Sequence, residues 1–156
     1  MLCGQGKFKG IPQNRIIAGS DRFDVIVRKE NDMNKNDFTH YEDSRTFEAI
    51  FSGIEVSIGE EHMSDDVLAL AGKIVSKYPK KVAAISRYLS QDRYIRAHYG
   101  NIGAKEISAK LHEPIIRIFE YGGMLSYCNH ELGAYHIIDV DFIGALDEFY
   151  RVNIDG

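Results

Sequence analysis

Apolar residues recur along this chain with two different periods, and the periods divide it into segments. In residues 54–58, Ile54, Val56 and Ile58 alternate with Glu55 and Ser57, the mark of a strand with one buried and one wet face. The preceding Phe-Glu-Ala-Ile-Phe run (47–51) joins it through Ser52-Gly53, a two-residue loop that predicts a hairpin. Further upstream, Phe23, Val25 and Val27 alternate with Asp24, Ile26 and Arg28, predicting a strand. The polar, Asn-rich stretch 30–40 reads as a connection.

The period then changes. Val67, Leu68, Ala71, Ile74, Val75 and Tyr78 form a stripe at helical spacing, with Ser64 placed to cap it and Asp65 and Asp66 suited to its positive end. Pro79 reads as the break after which a second helix carries Val82, Ile85 and Leu89 inward as far as Gly100. A short third helix is predicted over 104–111.

From Pro114 onward the strand period returns in four short runs separated by glycine-bearing turns. Reading Gly122-Gly123 as a two-residue turn sets Arg117 opposite Cys128. Reading 131–134 as a four-residue loop sets His130 opposite Tyr135 and Ser126 opposite Asp139. The two turns agree on which residues share a face. Ile116, Ile118, Leu125, Tyr127, His136, Ile138, Val140 and Phe142, joined by Tyr150, Val152 and Ile154, form a core face. The outer face carries Ile115, Arg117, Phe119, Tyr121, Ser126, Cys128, His130, Tyr135, Ile137, Asp139 and Asp141, joined by Phe149, Arg151 and Asn153.

The expected fold is α+β. It is an antiparallel sheet with a C-terminal four-stranded meander, covered on one face by a helical hairpin and a short third helix. The expected organisation is a single domain over 1–156, with 1–45 an N-terminal extension holding one or two strands and 46–156 the α+β core. A chain of 156 residues buries enough surface to need no staples.

Charge adds a second layer. Between Lys73 and Arg96 stand seven cations against Asp92 alone, a local charge of +6 that leaves −10 for the remainder of a chain whose net charge is −4. Nucleic-acid binding through this helical pair is one reading. The solvated outer faces of helices is the plainer one, and no recognition motif accompanies the cations. No apolar run is long enough to cross a bilayer and no signal peptide opens the chain, so a cytoplasmic protein is expected. Two cysteines, Cys3 in the N-terminal segment and Cys128 in a strand, fit a reducing compartment better than a structural disulfide.

The residues that carry chemistry gather on the outer face of the meander. Arg117, Asp139, Asp141 and Arg151 make a charged stripe, with Phe119 and Tyr135 among the aromatics beside it. Aromatics and arginine are favoured at protein interfaces, so these six are the candidate partner-binding residues. Cys128, His130 and Asp139 offer an alternative, a small metal site or an enzyme. Yet zinc wants more converging ligands, and Cys128 and His130 are spaced nearer 7 Å than hydrogen-bond reach. No catalytic or cofactor motif stands out, so no cofactor is expected. Gly4-x-Gly6 lacks the preceding strand a phosphate loop requires.

Gly133, Tyr135, His136, Ile138 and Val140, then Gly144, then Ile154 and Gly156, resemble the ending of small bacterial cytosolic families of unknown function. The order of strand hairpin, helical pair, short helix and strands over 46–156 is similar too. Two features depart from that pattern. Ala134 and Tyr135 separate Gly133 from His136, and the segment after the helices, Tyr99–Gly103, is poor in aromatics. The resemblance implies an immunity protein, a non-enzymatic chain that neutralises a bacterial toxin. The acidic remainder of the chain suits a basic partner such as a nuclease domain.

Overall fold

The computed structural model describes residues 32–133 and 136–156. One seven-stranded sheet runs through them in chain order. Its strands are β1 (Thr39–Tyr41), β2 (Thr46–Phe51), β3 (Ile54–Gly59), β4 (Ile115–Ile118), β5 (Gly122–Tyr127), β6 (Ile137–Ile143) and β7 (Glu148–Asp155). Neighbours are antiparallel except β3 and β4, which run parallel. A parallel pair needs a crossover. Residues 60–114 supply it with α1 (Asp65–Gln91), α2 (Arg93–Tyr99) and α3 (Ala104–Lys110). The α+β class and the C-terminal meander β4–β7 are as the sequence predicts.

The strand read at 23–28 lies outside the described residues. The stretch read as a polar connection ends in β1, which pairs with β2, and Phe38 beside it is buried in the core. The β2–β3 hairpin turns on Ser52 and Gly53, both at positive φ (51° and 84°), as a tight hairpin turn requires.

Ser64 caps α1, its Oγ accepting the Val67 N–H at 3.3 Å. The apolar stripe is buried as predicted, but the break is not at Pro79. Instead of a hairpin, one 27-residue helix continues through the proline. Pro79 is exposed and costs the helix one N–H, about 3 kcal/mol relative to alanine. Beyond it, Ile85 and Leu89 are fully buried, each offsetting roughly 1.5–3 kcal/mol, so packing outweighs propensity. The break comes at Asp92, whose carboxylate takes the N–H groups of Tyr94 and Ile95 at 2.7 and 3.2 Å and starts α2. Gly100, at φ 76°, stops α2.

The helices cover one face of the sheet. Val67, Ala71, Ile74, Ile85, Leu89, Ile95 and Ile107 from the helices, together with Val56, Ile58, Ile116, Ile118, Leu125, Tyr127, Ile138, Val140, Phe142 and Val152 from the strands, make the core. Inside it the hydroxyls of Tyr78 and Tyr127 meet at 3.3 Å. Burial pushes the Tyr78 phenol up to about 12 and lifts Tyr127 well above its ordinary range.

Two details of the meander differ from the sequence reading. Gly122 and Gly123 are not the β4–β5 turn. They lie within β5, and the turn is Phe119–Tyr121, closed by the Phe119 N–H donating to the Gly122 carbonyl at 2.9 Å. Glycine is required there by crowding, since a Cβ on Gly123 would sit 2.2 Å from the Arg117 carbonyl oxygen. Arg117 therefore opposes Met124 rather than Cys128. The slide is an even number of residues, so the assignment of faces survives it. The β5–β6 register, with Ser126 opposite Asp139, is as predicted.

In β7 a bulge opposite Asp141 and Phe142 sets Phe149 against Phe142. Phe149 thus packs on the core, and Tyr150, expected inside, is 54% exposed. Among the described residues no helix is long and apolar enough to cross a membrane.

Candidate functional site

The face of the sheet turned away from the helices is assembled by register. Glu48, Ser57, Arg117, Met124, Asp141 and Arg151 stand side by side across β2, β3, β4, β5, β6 and β7. The next row is Ile50, Glu55, Ile115, Ser126, Asp139 and Asn153. The predicted stripe of Arg117, Asp139, Asp141 and Arg151 is therefore real, and the parallel β3–β4 pairing extends it to Glu55 and Glu48.

The four residues are not equivalent. Asp141 is buried and forms a close ion pair with Arg151, whose side chain is 61% exposed. That pair is internally compensated, so Asp141 is not the exposed anchor the sequence suggested. Asp139 accepts a hydrogen bond from Ser126 Oγ at 2.6 Å. Burial raises its carboxyl above the ordinary value. The Ser126 bond and Arg117 oppose the rise, and Asp155 and Asp141 add to it. Glu55 is likewise raised, by burial first and by Glu48 second, against the pull of Arg117. Arg117 thus stands between two partly desolvated carboxylates without cancelling the cost of either.

The aromatics do not border this stripe as expected. Phe119 lies in the β4–β5 turn, 42% exposed, with its ring edge-on to His62 at 5.7 Å. Tyr135 lies outside the described residues. The borders are instead aliphatic: Ile50, Ile115 and Ile143. Beside Glu55 and Ile115, a half-open pocket of about 500 Å³ is also lined by Glu113, Ser126, Cys128 and Asn129.

The Cys128, His130 and Asp139 trio does not converge. β5 ends at Tyr127, so Cys128 and His130 do not share the outer face as alternating strand residues. Cys128 is disulfide-bonded, where a reduced thiol was expected. In a disulfide it is neither a thiolate ligand nor a nucleophile. His130 is buried against Tyr99, their rings 5.9 Å apart, and both its ring nitrogens are engaged away from Asp139. Among the described residues no group of three or more His, Cys, Asp or Glu side chains is placed to hold a metal ion. No family model matches this chain, nor does any curated protein or solved structure.

The cations between Lys73 and Arg96 lie mainly on the outer surface of α1 and α2. Several are used locally. Lys77 pairs with Asp147 at 3.2 Å, Arg96 donates to the Ser90 carbonyl, and Arg93 stacks on Tyr94. Tyr78 is buried and Tyr88 packs on Phe149, so these rings do not form a stacking platform. The chemistry left to the open face is electrostatic. It presents acceptor groups, with Asp139 held in place by Ser126, to a cationic group that would approach from outside.

The sequence marked Glu55 as polar and outward, but nothing in the spacing of residues 54–58 ties it to Arg117, which stands some sixty positions later. Only the parallel pairing, which local periodicity does not encode, brings the two together.

Proposed function

We propose that this protein acts by binding rather than by catalysis, holding a basic protein partner against the open face through Glu55 and Asp139, with Arg117 standing between them. The observation that carries the reading is the pair of partly desolvated carboxylates on either side of Arg117. Groups arranged at a cost to the fold are enriched at functional sites. A cation from a partner would offset that cost, and a basic partner would be steered to an acidic face. The likeness of the C-terminal run to immunity-type families supports the same class of partner, a toxin domain that the chain neutralises. Arg151 flanks the contact in this reading, and Asp141 serves it by fixing Arg151.

Copurification of the full chain with the product of the adjacent reading frame tests the proposal. The expected outcome is a stable complex whose affinity falls as salt is raised. A neighbour that encodes no basic protein, or one that fails to copurify, overturns it.

A further inference from the structure

His130 sits where the connection leaving β5 meets the C-terminal end of α2, and it is nine-tenths buried. Its Nε2 lies 2.8 Å from the His136 carbonyl oxygen. A carbonyl only accepts, so Nε2 carries the proton. Its Nδ1 lies 3.2 Å from the Leu132 amide nitrogen, which only donates. Nδ1 is therefore a bare lone pair, and the ring is the neutral Nε2–H tautomer. We propose that His130 is the pin of an acid-sensitive corner: its neutral ring ties Leu132 and His136 together, and protonation at Nδ1 releases Leu132.

The chemistry follows from donor counting. A proton on Nδ1 would face the Leu132 N–H, donor against donor, at hydrogen-bond distance. One bond is lost and a cation is left where water is scarce.

The surroundings offer little compensation. From α2, Tyr99 presents the edge or face of its ring, its hydroxyl buried without a partner. His136 stands beside the same ring, with its Nδ1 also buried and unpartnered, and His98 contacts His136 at 5.6 Å. The neighbouring carboxylate, Glu131, is taken by His112 at 2.9 Å, and its amide is held by the Lys110 carbonyl at 2.7 Å. Consistent with this geometry, burial lowers the His130 pKa, the bond to the His136 carbonyl opposes the shift, and His136 adds to it.

A folded-state pKa below the unfolded one gives stability that is fully present above the unfolded value. That stability is lost as pH falls through the folded one. The corner should therefore hold at neutral pH and loosen under acid, at the point where the chain returns to β6 and Asp139.

The experiment is a pH titration of the intact chain by NMR between pH 7.5 and 4.5. It follows the His130 imidazole and, by amide exchange corrected for intrinsic rate, Leu132. The expected result is an Nε2–H tautomer at pH 7.5, a midpoint below that of an unperturbed histidine, and Leu132 protection that falls by up to about tenfold per pH unit between the ordinary histidine value and that midpoint and levels off below it. In His130→Asn, whose side-chain oxygen still accepts from Leu132, protection should be flat with pH. If that variant does not fold, the wild-type titration decides alone. Leu132 protection that stays constant while His130 titrates, or a midpoint at or above the ordinary histidine value, overturns the proposal.

Discussion

Replacing Asp139 by Asn should make the protein more stable at neutral pH. The Asp139 carboxyl is raised by burial, with Asp155 and Asp141 adding to the rise, so the fold favours its protonated form. The contribution of that form is fully present below the unfolded value near 3.8 and is lost as pH rises through the folded value. At pH 7.5 the ionised group therefore costs stability.

The size follows from spacing. Asp139 and Asp141 are two positions apart on one strand and share a face, about 6.7 Å. Two charges at that distance repel by about 0.6 kcal/mol at the dielectric of water and about 2.5 kcal/mol at an effective value of 20. Arg151 beside Asp141 and Arg117 near Asp139 cancel much of this, while burial, the largest cause, adds its own cost, so the net is on the order of 1 kcal/mol. For a chain of this length that is about 3 °C in Tm. Asn keeps an oxygen for the Ser126 hydroxyl, so the 2.6 Å hydrogen bond is retained.

Urea unfolding of both proteins at pH 7.5 and pH 3 provides the measurement. The variant should be the more stable at pH 7.5, with the advantage gone at pH 3, where the carboxyl is protonated in both states. A variant less stable than wild type at pH 7.5, or a difference equal at the two pH values, would refute the assignment of cost to the ionised group.

Three further outcomes concern the scaffold that holds the face. Pro79→Ala should raise stability by about 1–3 kcal/mol in thermal or urea unfolding, because the proline is exposed within α1 and alanine restores the missing helical bond. Unchanged or lower stability would mean that the proline shapes the helix. Tyr127→Phe should cost about 1–2 kcal/mol by leaving the Tyr78 hydroxyl buried without its partner, and the Tyr78→Phe, Tyr127→Phe double variant should cost less than the sum of the singles. Strict additivity would show the two hydroxyls uncoupled. Gly123→Ala should cost about 3 kcal/mol, since its Cβ would press on the Arg117 carbonyl and the Phe142 ring; a near-neutral result would contradict the β4–β5 register.

Periodicity made most of the strands and the apolar stripe of the helices readable, because alternation and the helical stripe are local and burial enforces them. Ser52-Gly53 and Ser64 were legible for the same reason: each acts within a few residues. Three errors share one physical origin, local preference overridden by packing. Pro79 reads as a stop, but the apolar stripe on either side of it buries as one surface. Gly122-Gly123 reads as a turn, but the glycines are there because two backbones crowd them. Tyr150 reads as inward by parity, and a bulge turns it out.

At the site, parity placed Arg117, Asp139, Asp141 and Arg151 on one face correctly. It could not show burial, which puts Asp141 inside with Arg151 to neutralise it and leaves Asp139 with an uncompensated cost. Nor could it find Glu55, whose place beside Arg117 depends on a crossover through three helices. The separation of Cys128 and His130 from the strand pattern was hidden because β5 ends at Tyr127 while the alternation of residue types runs on.

The central claim is that Glu55 and Asp139 form a receptor for a basic partner. Isothermal titration calorimetry of the partner from the adjacent reading frame, against wild type and against the Glu55→Gln, Asp139→Asn double variant, tests it most directly. The account predicts binding at least about tenfold weaker for the variant, about 1.4 kcal/mol, from a protein that is no less stable than wild type. Equal affinity for the two proteins would contradict it.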